Sequence, residues 1–431
     1  MGFMSWERFR CTTDCENHPN DCINEELFRS TAEALLDQGL AAVGYTQVSI
    51  DDCWSAGRDP VTHRLVPDPR RFPSGMKALG NFLHDRNLTF GIYTDAGSKT
   101  CGGYAGSMGY QELDAQTFAD WGVDFVKVDG CYIYNNTTHH TIHADYEAAF
   151  TAMGRAFHKA SRKMVMSCDW PCYTGRNESA KPFETMYHEA GCNTWRNFAD
   201  IDNRWNNVHH TIRHWATHWK ALQAIPDGSF NSADMLVVGD DRYSPVPGQT
   251  ILTIDQARLQ LTFWALITSP LFIGADVRNI NPAYRDILLN KHVIAINQDE
   301  SRKQASCLVG CHPRPHNATA DDFQVWGKPM KGGHSHAVAF FNVGSNTVAS
   351  SIQVDLPLDG IVARCVDLWS NDPEEDVCNS GQGGTTSDWD IRPVRPGVLR
   401  IRALQVATTS QRLVRVDYYC DQEGDHQVAL C

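Results

Sequence analysis

A lysine and an aspartate lie two residues apart in the otherwise apolar stretch Phe125 to Cys131. Its β-branched residues and the glycine near its end predict a short buried strand, whose alternation places Lys127 and Asp129 on one face. Burying such charges is costly unless they are paired or the strand end opens into a working cavity. We interpret Asp129 as a carboxylate that the neighbouring ammonium keeps ionised, as a nucleophile must be. The alternative is a buried ion pair of structural role only, in which Lys127 and Asp129 neutralise each other.

Further aspartates follow the ends of other predicted strands, and aromatic residues accompany them. Any one of these carboxylates could be an ordinary helix N-cap, but the whole set is too large for that role alone. Carboxylates and aromatic rings around one opening suit a sugar, and glycoside hydrolysis needs two carboxylates, one as nucleophile or base and one as proton donor. The candidates are Asp51, Asp52, Asp95, Asp129, Asp169, Asp200 and Asp234, with Trp6, Trp54, Tyr93, Trp170, Tyr173 and Arg196.

Strand-like and helix-like segments alternate from residue 1 to about 300, which is typical of a parallel α/β fold. Eight such units predict a (β/α)8 barrel, whose site lies at the carboxyl ends of the strands. The predicted strands are 2–6, 45–52, 88–95, 125–131, 163–169, 194–200, a seventh between 222 and 231, and 271–275. The predicted helices are 25–38, 75–87, 113–121, 146–161, 206–223 and 282–289.

After residue 304 the pattern changes to alternating apolar and polar residues separated by Gly, Pro and Asp turns. This pattern predicts antiparallel strands, so we expect a (β/α)8 TIM barrel over 1–303 and an antiparallel β-sandwich domain over 304–431.

Composition excludes several functions. The 431 residues carry a net charge of −13 with no basic run, which argues against nucleic acid as a partner. No apolar run reaches the roughly 18 residues that a membrane span needs. The 15 cysteines lack the doubled C-x-x-C spacing of a zinc site, so disulfides are the better interpretation.

Glycosylation sequons, together with the cysteines, indicate the secretory route. They begin at Asn87, Asn135, Asn136, Asn177 and Asn317. No signal peptide precedes Met1, so we expect a processed chain or a truncated gene model.

Eight motifs, in order along the chain, resemble those of the lysosomal-type α-galactosidases and α-N-acetylgalactosaminidases, glycoside hydrolase family 27. The resemblance covers the chain to about residue 300. The later domain is similar only in its position and in its pattern of alternating apolar and polar residues. The motifs are MGFMSW at Met1, IDDCW at Ile50, GIYTD at Gly91, KVDGC at Lys127, SCDWP at Ser167, WRNFADI at Trp195, DML at Asp234 and VIAINQD at Val293.

By this resemblance Asp129 is the nucleophile and Asp200 the general acid/base of a retaining double displacement on terminal α-linked galactose. The acid must hold its proton near working pH, so we expect a drier or less cationic pocket around it. The resemblance also implies a wall of the sugar site at Trp6, and acceptors for the 4- and 6-hydroxyls at Asp51 and Asp52. The residues implied to line the rest are Tyr93, Lys127, Arg196 and Asp234.

The same resemblance implies four disulfides in the barrel, Cys11–Cys53, Cys15–Cys22, Cys101–Cys131 and Cys168–Cys192. In the second domain, Cys307, Cys311, Cys365, Cys378, Cys420 and Cys431 make three plausible local pairs. We further expect no cofactor and no metal, a homodimer, lysosomal or secreted localisation, and glycans or glycolipids bearing α-galactosides as substrates.

Three departures from the family pattern bear on these expectations. The first strand is short, and Phe230-Asn231-Ser232-Ala233 replaces Trp-Asn-Asp-Pro. Where galactosidases of the family carry Glu and Leu, and the N-acetyl enzymes Ser and Ala, this chain has Asp169 and Cys172. Because a carboxylate can accept from a 2-hydroxyl, these residues favour galactose, and an α-N-acetylgalactosaminidase is the alternative.

Two functions of other classes compete with this interpretation. A metal-dependent barrel hydrolase typically has His-x-His on its first strand, whereas Met4-Ser5-Trp6 has none and His334-Ser335-His336 lies in the second predicted domain. A non-catalytic sugar-binding protein would be expected to have lost one carboxylate, yet Asp129 and Asp200 are both present.

Overall fold

The structure, a computed structural model, describes residues 1–133, 142–242, 244, 251–311, 322–344, 349–358, 361–370, 375–378, 384–385, 388–395 and 398–419. Its contacts divide the chain into two compact units. The first comprises 1–204, 224–251 and 270–289, and the second comprises 205–223, 252–269 and 290–431. The domain boundary between residues 303 and 304 stays a prediction.

Eight parallel strands form the sheet of the first unit, and neighbours in sequence are neighbours in space. The first strand also pairs with the last, with Gly2 opposite Phe272, and a parallel bridge between Leu236 and Ile273 joins the last strand to the segment after the seventh. The predicted TIM-like barrel is therefore confirmed. Its strands are Gly2–Met4, Gln47–Ser49, Thr89–Asp95, Phe125–Asp129, Val165–Cys168, Thr194–Arg196, Phe230–Ser232 and Phe272–Ile273.

Helices and turns connect these strands. A short hairpin, Ser55–Arg58 with Leu65–Pro67, is an element that periodicity did not predict. The helix Glu25–Asp37 is capped by Asn24, whose side chain accepts from the backbone N–H of Leu27 at 2.8 Å. The helices of this unit are Trp6–Phe9, Glu25–Asp37, Gly75–His84, Gln111–Trp121, Ile142–Lys159, Trp170–Tyr173, Phe183–His188 and Pro282–Leu288, with 3-10 turns at Ala41–Val43 and Glu178–Ala180.

Most of the predicted strands end earlier in the structure, so several predicted site residues lie beyond their strands: Trp6, Asp51, Asp52, Asp169 and Asp200. The prediction of a strand over 2–6 is wrong for Trp6, which begins a helix because the backbone N–H of Arg10 returns to its carbonyl at 2.9 Å. The predicted strand 194–200 ends at Arg196, since the ladder with the seventh strand stops opposite Ser232. Asp200 therefore lies in the loop beyond the strand, so the direction of the strand does not set its position.

The second unit contains two antiparallel sheets, as the alternation predicts. Five strands form one sheet in the order Ser306–Val309, Phe323–Pro329, Ser335–Asn342, Ser410–Tyr419 and Ile361–Asp367, and four form the other in the order Ala349–Pro357, Val398–Val406, Trp389–Arg395 and Gly384–Thr385. Apolar side chains from both sheets, among them Phe340 and Trp389, share one buried cluster. The helices Trp205–Gln223, Ile254–Leu266 and Lys291–Asn297 belong to this unit.

Two of the predicted local cysteine pairs in this unit are present, Cys307–Cys311 and Cys365–Cys378. The third, Cys420 with Cys431, lies outside the described residues. Within the part of the chain that the structure describes, no helix is both long and apolar enough to cross a membrane.

Candidate active site

The fourth barrel strand ends at Asp129, a residue that is 6% exposed and whose carboxylate accepts hydrogen bonds on both oxygens. Tyr173 donates to Oδ1 at 2.6 Å, Tyr93 donates to Oδ2 at 3.1 Å, and the backbone N–H of Gly130 donates to Oδ1 at 2.8 Å. Three donors fix both the position and the rotation of this carboxylate. The sequence analysis names Tyr173 only as one of several aromatic candidates and gives it no role. The signal that could have identified it is its position directly after Cys172, a predicted site residue.

Lys127 does not bind the carboxylate of its own strand. Its Nζ donates to Asp51 Oδ2 at 2.8 Å and lies 3.8 Å from Asp169 Oδ2. Burial opposes the charge of this ammonium, but Asp51, Asp169 and Asp129 together raise the pKa of Lys127 above its ordinary value. The lysine therefore carries a charge that three carboxylates share, and Asp51 is its direct partner.

Arg196 joins two further predicted site residues. Its guanidinium lies 3.3 Å from Asp169 Oδ2 and forms an ion pair with Asp200. Burial raises the pKa of Asp169 to about 7, although Arg196 and Lys127 both act against this rise. The Asp200 side chain is 63% exposed, and the Arg196 charge lowers the pKa of its carboxyl. The expectation of a drier or less cationic pocket around Asp200 is therefore wrong for this structure.

Three other strand-end aspartates anchor loops. Asp52 accepts from the backbone N–H of Gly102 at 2.7 Å, and Asp234 accepts from that of Ile201 at 2.9 Å. Asp95 is fully buried and accepts from two backbone N–H groups, those of Gly97 at 2.7 Å and Cys131 at 2.9 Å. Each aspartate thus holds a loop that carries or borders a predicted site residue.

The last two predicted site residues are Trp6 and Cys172. Trp6 is half-buried at the start of its helix, and the preceding Ser5 accepts through Oγ from the backbone N–H of Asp51 at 3.0 Å. The Cys172 thiol donates to the backbone carbonyl of Asp169 at 2.8 Å, and it is a free cysteine. Burial raises the pKa of this thiol, so it is a neutral group.

Four disulfides join the pairs that the resemblance implied, Cys11–Cys53, Cys15–Cys22, Cys101–Cys131 and Cys168–Cys192. The Cys101–Cys131 bridge lies beside Asp129, with the Tyr173 hydroxyl 3.3 Å from Cys131 Sγ. Asp95, Asp129 and these two sulfurs each offer a ligand atom within 4.8 Å of the others. Because the sulfurs are bonded to each other, only two carboxylates of that group could hold a cation.

A barrel whose strand ends gather paired carboxylates, two cationic side chains and aromatic rings has the architecture of a glycoside hydrolase. The model of the family described as "Alpha galactosidase A" matches residues 1–299, and that of the "Alpha galactosidase C-terminal beta sandwich domain" matches 320–388. The chain belongs to this family of glycoside hydrolases, so the predicted family, fold and enzyme class are confirmed.

The proteins similar to this chain include enzymes of both kinds that the sequence motifs resemble, α-galactosidases and α-N-acetylgalactosaminidases. Alpha-galactosidase A of Homo sapiens is 39% identical over 344 residues, which cover 79% of this chain and 73% of that protein. Alpha-N-acetylgalactosaminidase of Gallus gallus is also 39% identical, over 303 residues that cover 69% of this chain and 70% of that protein. The crystal structure of α-galactosidase I from Mortierella vinacea has a TM-score of 0.73 at 26% identity, covering 96% of each chain. Because the identity to the human α-galactosidase equals that to the avian α-N-acetylgalactosaminidase, overall similarity does not decide between the two sugars, and the site residues have to be compared.

Proposed function

We propose that the chain is a retaining exo-glycosidase that removes terminal α-linked galactose by double displacement, with Asp129 as nucleophile and Asp200 as general acid/base. The observation that carries this proposal is the carboxylate of Asp129. It lies at the end of a barrel strand, and three donors fix it in one orientation. Asp51 and Asp52 accept from the sugar's 4- and 6-hydroxyls, Trp6 forms a wall, and Tyr93, Lys127, Arg196 and Asp234 line the rest.

The ion pair of Asp200 with Arg196 leads us to expect an acidic working pH. A general acid must be protonated, so the rate falls as pH rises through its pKa. Because Arg196 lowers the pKa of Asp200, that fall begins at lower pH than for an unpaired carboxyl. A sugar hydroxyl that takes up donors of Arg196 would weaken the pair and return Asp200 towards its ordinary pKa. An optimum above neutrality would contradict this assignment.

The preference for galactose rests on Asp169, which is 2% exposed and lies between Lys127 and Arg196. An ionised carboxylate accepts from a 2-hydroxyl and repels the carbonyl of a 2-acetamido group. A lost hydrogen bond to a charged group is worth about 1.5–3 kcal/mol, or roughly tenfold to a hundredfold in selectivity. Since burial raises the pKa of Asp169, its carboxyl gains a proton at higher pH than an exposed aspartate does, and the repulsion then weakens. Selectivity for galactose should therefore increase as pH rises.

The test compares hydrolysis of aryl α-galactoside and aryl α-N-acetylgalactosaminide by the purified chain. We expect the galactoside to be the better substrate, and the double change Asp169→Ser with Cys172→Ala to move preference towards the N-acetyl substrate. A preference of the unmodified chain for the N-acetyl substrate would make α-N-acetylgalactosaminidase the function. If neither substrate is hydrolysed while galactose binds, the chain is a sugar-binding protein without catalytic activity.

The two catalytic roles have different signatures. Asp129→Asn should lower hydrolysis by several orders of magnitude with every leaving group, because both steps need the nucleophile. Asp200→Asn should lose much less with an activated aryl leaving group than with a sugar, because the activated group leaves without a proton. Equal losses on both substrates would contradict the acid role. A metal chelator should leave all these rates unchanged, and a reversible loss would favour a metal-dependent reaction.

We further infer a route through the secretory pathway to the lysosome or the outside, and a homodimer that acts on glycans or glycolipids. Supporting features are the disulfides and the exposed sequon residues Asn87 and Asn177. Mass spectrometry of the protein from a secreting host, before and after removal of N-linked glycans, tests the glycosylation. Light scattering tests the dimer, and a monomeric mass would exclude it.

A further inference from the structure

The helix that begins at Trp6 contains a fully buried acid, Glu7, and ends next to Arg10, which forms an ion pair with it. The central carbon of the Arg10 guanidinium lies 5.4 Å from the centroid of the Trp6 ring, within the range of a cation–π interaction. Arg242 donates to the backbone carbonyl of Glu7 at 3.1 Å. One buried acid thus holds a cation against the ring that we propose as the sugar-site wall.

This arrangement of Glu7 and Arg10 lowers the stability of the folded chain in several ways. Arg10 has a φ of 46°, a left-handed value that is strained for a residue with a Cβ. Glu7 Oε1 and Arg10 Nε are buried without a hydrogen-bond partner among the described residues. Glu7 also faces the charges of Asp240 and Asp234, and burial raises its pKa to about 9. Since well-packed apolar residues often replace buried ion pairs with no loss of stability, fold stability alone is a weak reason for this pair.

The cation of the pair also acts on the proposed acid. The charges of Arg196, Lys127 and Arg10 act on Asp200, and all three lower the pKa of its carboxyl, with Arg196 the largest. Arg10 therefore has two routes to the reaction, through the Trp6 ring by contact and through the Asp200 carboxyl by its field. Glu7 acts on both routes through its contact with Arg10, because that contact fixes where the guanidinium lies.

We propose that Glu7 and Arg10 are positioning residues, which fix the Trp6 ring as the wall of the sugar site and set the positive field at Asp200. This inference rests on the proposed function. It predicts that Arg10 contributes to sugar binding only while the Trp6 ring is present. It also predicts that removing the Arg10 charge moves the upper limb of the pH–rate profile to higher pH, while an uncharged replacement of Glu7 that still holds Arg10 leaves it in place.

The first test is a double-mutant cycle on galactose affinity and on kcat/KM for aryl α-galactoside. Arg10→Met should weaken galactose binding about threefold to tenfold, the range of a partly buried cation–π contact. The same change in a Trp6→Leu chain, which has no aromatic ring at this position, should alter affinity less than twofold. The matched control is Arg29→Met, since Arg29 pairs with Glu25 and lies 4.3 Å from the Phe82 ring centroid on another helix. That control should leave affinity unchanged.

The second test is the pH dependence of kcat. Arg10→Met removes a positive charge, so the upper limb should move to higher pH. Glu7→Gln keeps a neutral side chain of the same length beside Arg10, because burial raises the pKa of Glu7 to about 9, so the limb should stay at its wild-type pH. If Glu7→Gln fails to fold, Arg10→Met and Arg10→Lys still test the field, since only the first should move the limb.

Equal affinity losses with and without the Trp6 ring, or a lower thermal midpoint with unchanged affinity and unchanged pH limbs, would overturn the inference. Galactose affinity is measured by calorimetry, which does not need hydrolysis. A wild-type chain that binds galactose but does not cleave the glycoside would therefore refute the proposed function. The wall role of Arg10 would still be decided by the cycle.

Discussion

Replacing the fully buried Asp95 by asparagine should reveal a carboxyl that is neutral in the folded chain. Burial, with a further contribution from Asp129 on the neighbouring strand, raises the pKa of Asp95 to about 9. An unfolded chain releases the same proton near a pKa of about 3.9. Between pH 5 and pH 8 the folded state therefore binds one proton that the unfolded state does not.

The magnitude follows from proton linkage. Where the folded state binds more protons, the free energy of unfolding falls as pH rises, by about 1.4 kcal/mol per pH unit for one proton. Over the three units from pH 5 to pH 8, Asp95 alone lowers stability by up to about 4 kcal/mol. Asp95→Asn removes this contribution. The amide also turns a donor towards one of the backbone N–H groups of Gly97 and Cys131, which costs about 1–3 kcal/mol at both pH values.

The assay is chemical unfolding of wild type and variant at pH 5 and pH 8, with the disulfides oxidised. The difference between the two pH values is compared between the two chains, so that the constant cost of the amide cancels. The variant should lose less stability than wild type, by up to about 4 kcal/mol. Asp37→Asn, at an exposed position, is the matched control and should keep the wild-type pH dependence. The same pH dependence in wild type and Asp95→Asn would refute a neutral Asp95.

Two further changes test contacts of the site. Tyr173→Phe removes the 2.6 Å donor to Asp129, and in the proposed mechanism this donor stabilises the carboxylate as it leaves in the second step. Deglycosylation should slow about tenfold to a hundredfold, seen as a burst of aryl product with lower kcat and lower KM. No burst and an unchanged KM would contradict this. Lys127→Met leaves Asp51 and Asp169 without their shared cation and should lower the free energy of unfolding by about 3–5 kcal/mol, measured by denaturant titration. A loss below about 1 kcal/mol would show that the pair is solvated.

The barrel and the location of the site could be predicted from sequence because both depend on local patterns. Apolar runs bounded by turn residues mark the strands, and polar residues after them mark the carboxyl ends. Strand limits were less predictable, because a strand ends where its neighbour stops offering hydrogen bonds. Trp6 and Asp200 were both placed on strands for this reason, and both lie beyond the ladders in the structure.

The partners of the charged residues could not be predicted from spacing. Lys127 and Asp129 share a strand face, yet the lysine reaches Asp51, which follows the end of a strand two places away in the barrel. Which charges meet depends on the curvature of the sheet and on side-chain length, and neither appears in the alternation of residues. The same holds for Tyr173, whose hydroxyl reaches Asp129 from a short helix after the fifth strand.

Two independent features of the barrel favour acidic conditions. Buried carboxyls with raised pKa values hold protons in the folded state, Glu7 and Asp95 to about 9 and Asp169 and Asp240 to about 7. Each adds stability that is fully present below the unfolded pKa and is lost as pH rises towards its folded value. The proposed acid, Asp200, has a lowered pKa and so loses its catalytic proton as pH rises. Because burial causes the first effect and the Arg196 charge causes the second, stability and catalysis fall together towards neutral pH for separate reasons. A variant that shifts the activity profile at Arg10 should therefore leave the pH dependence due to Asp95 unchanged.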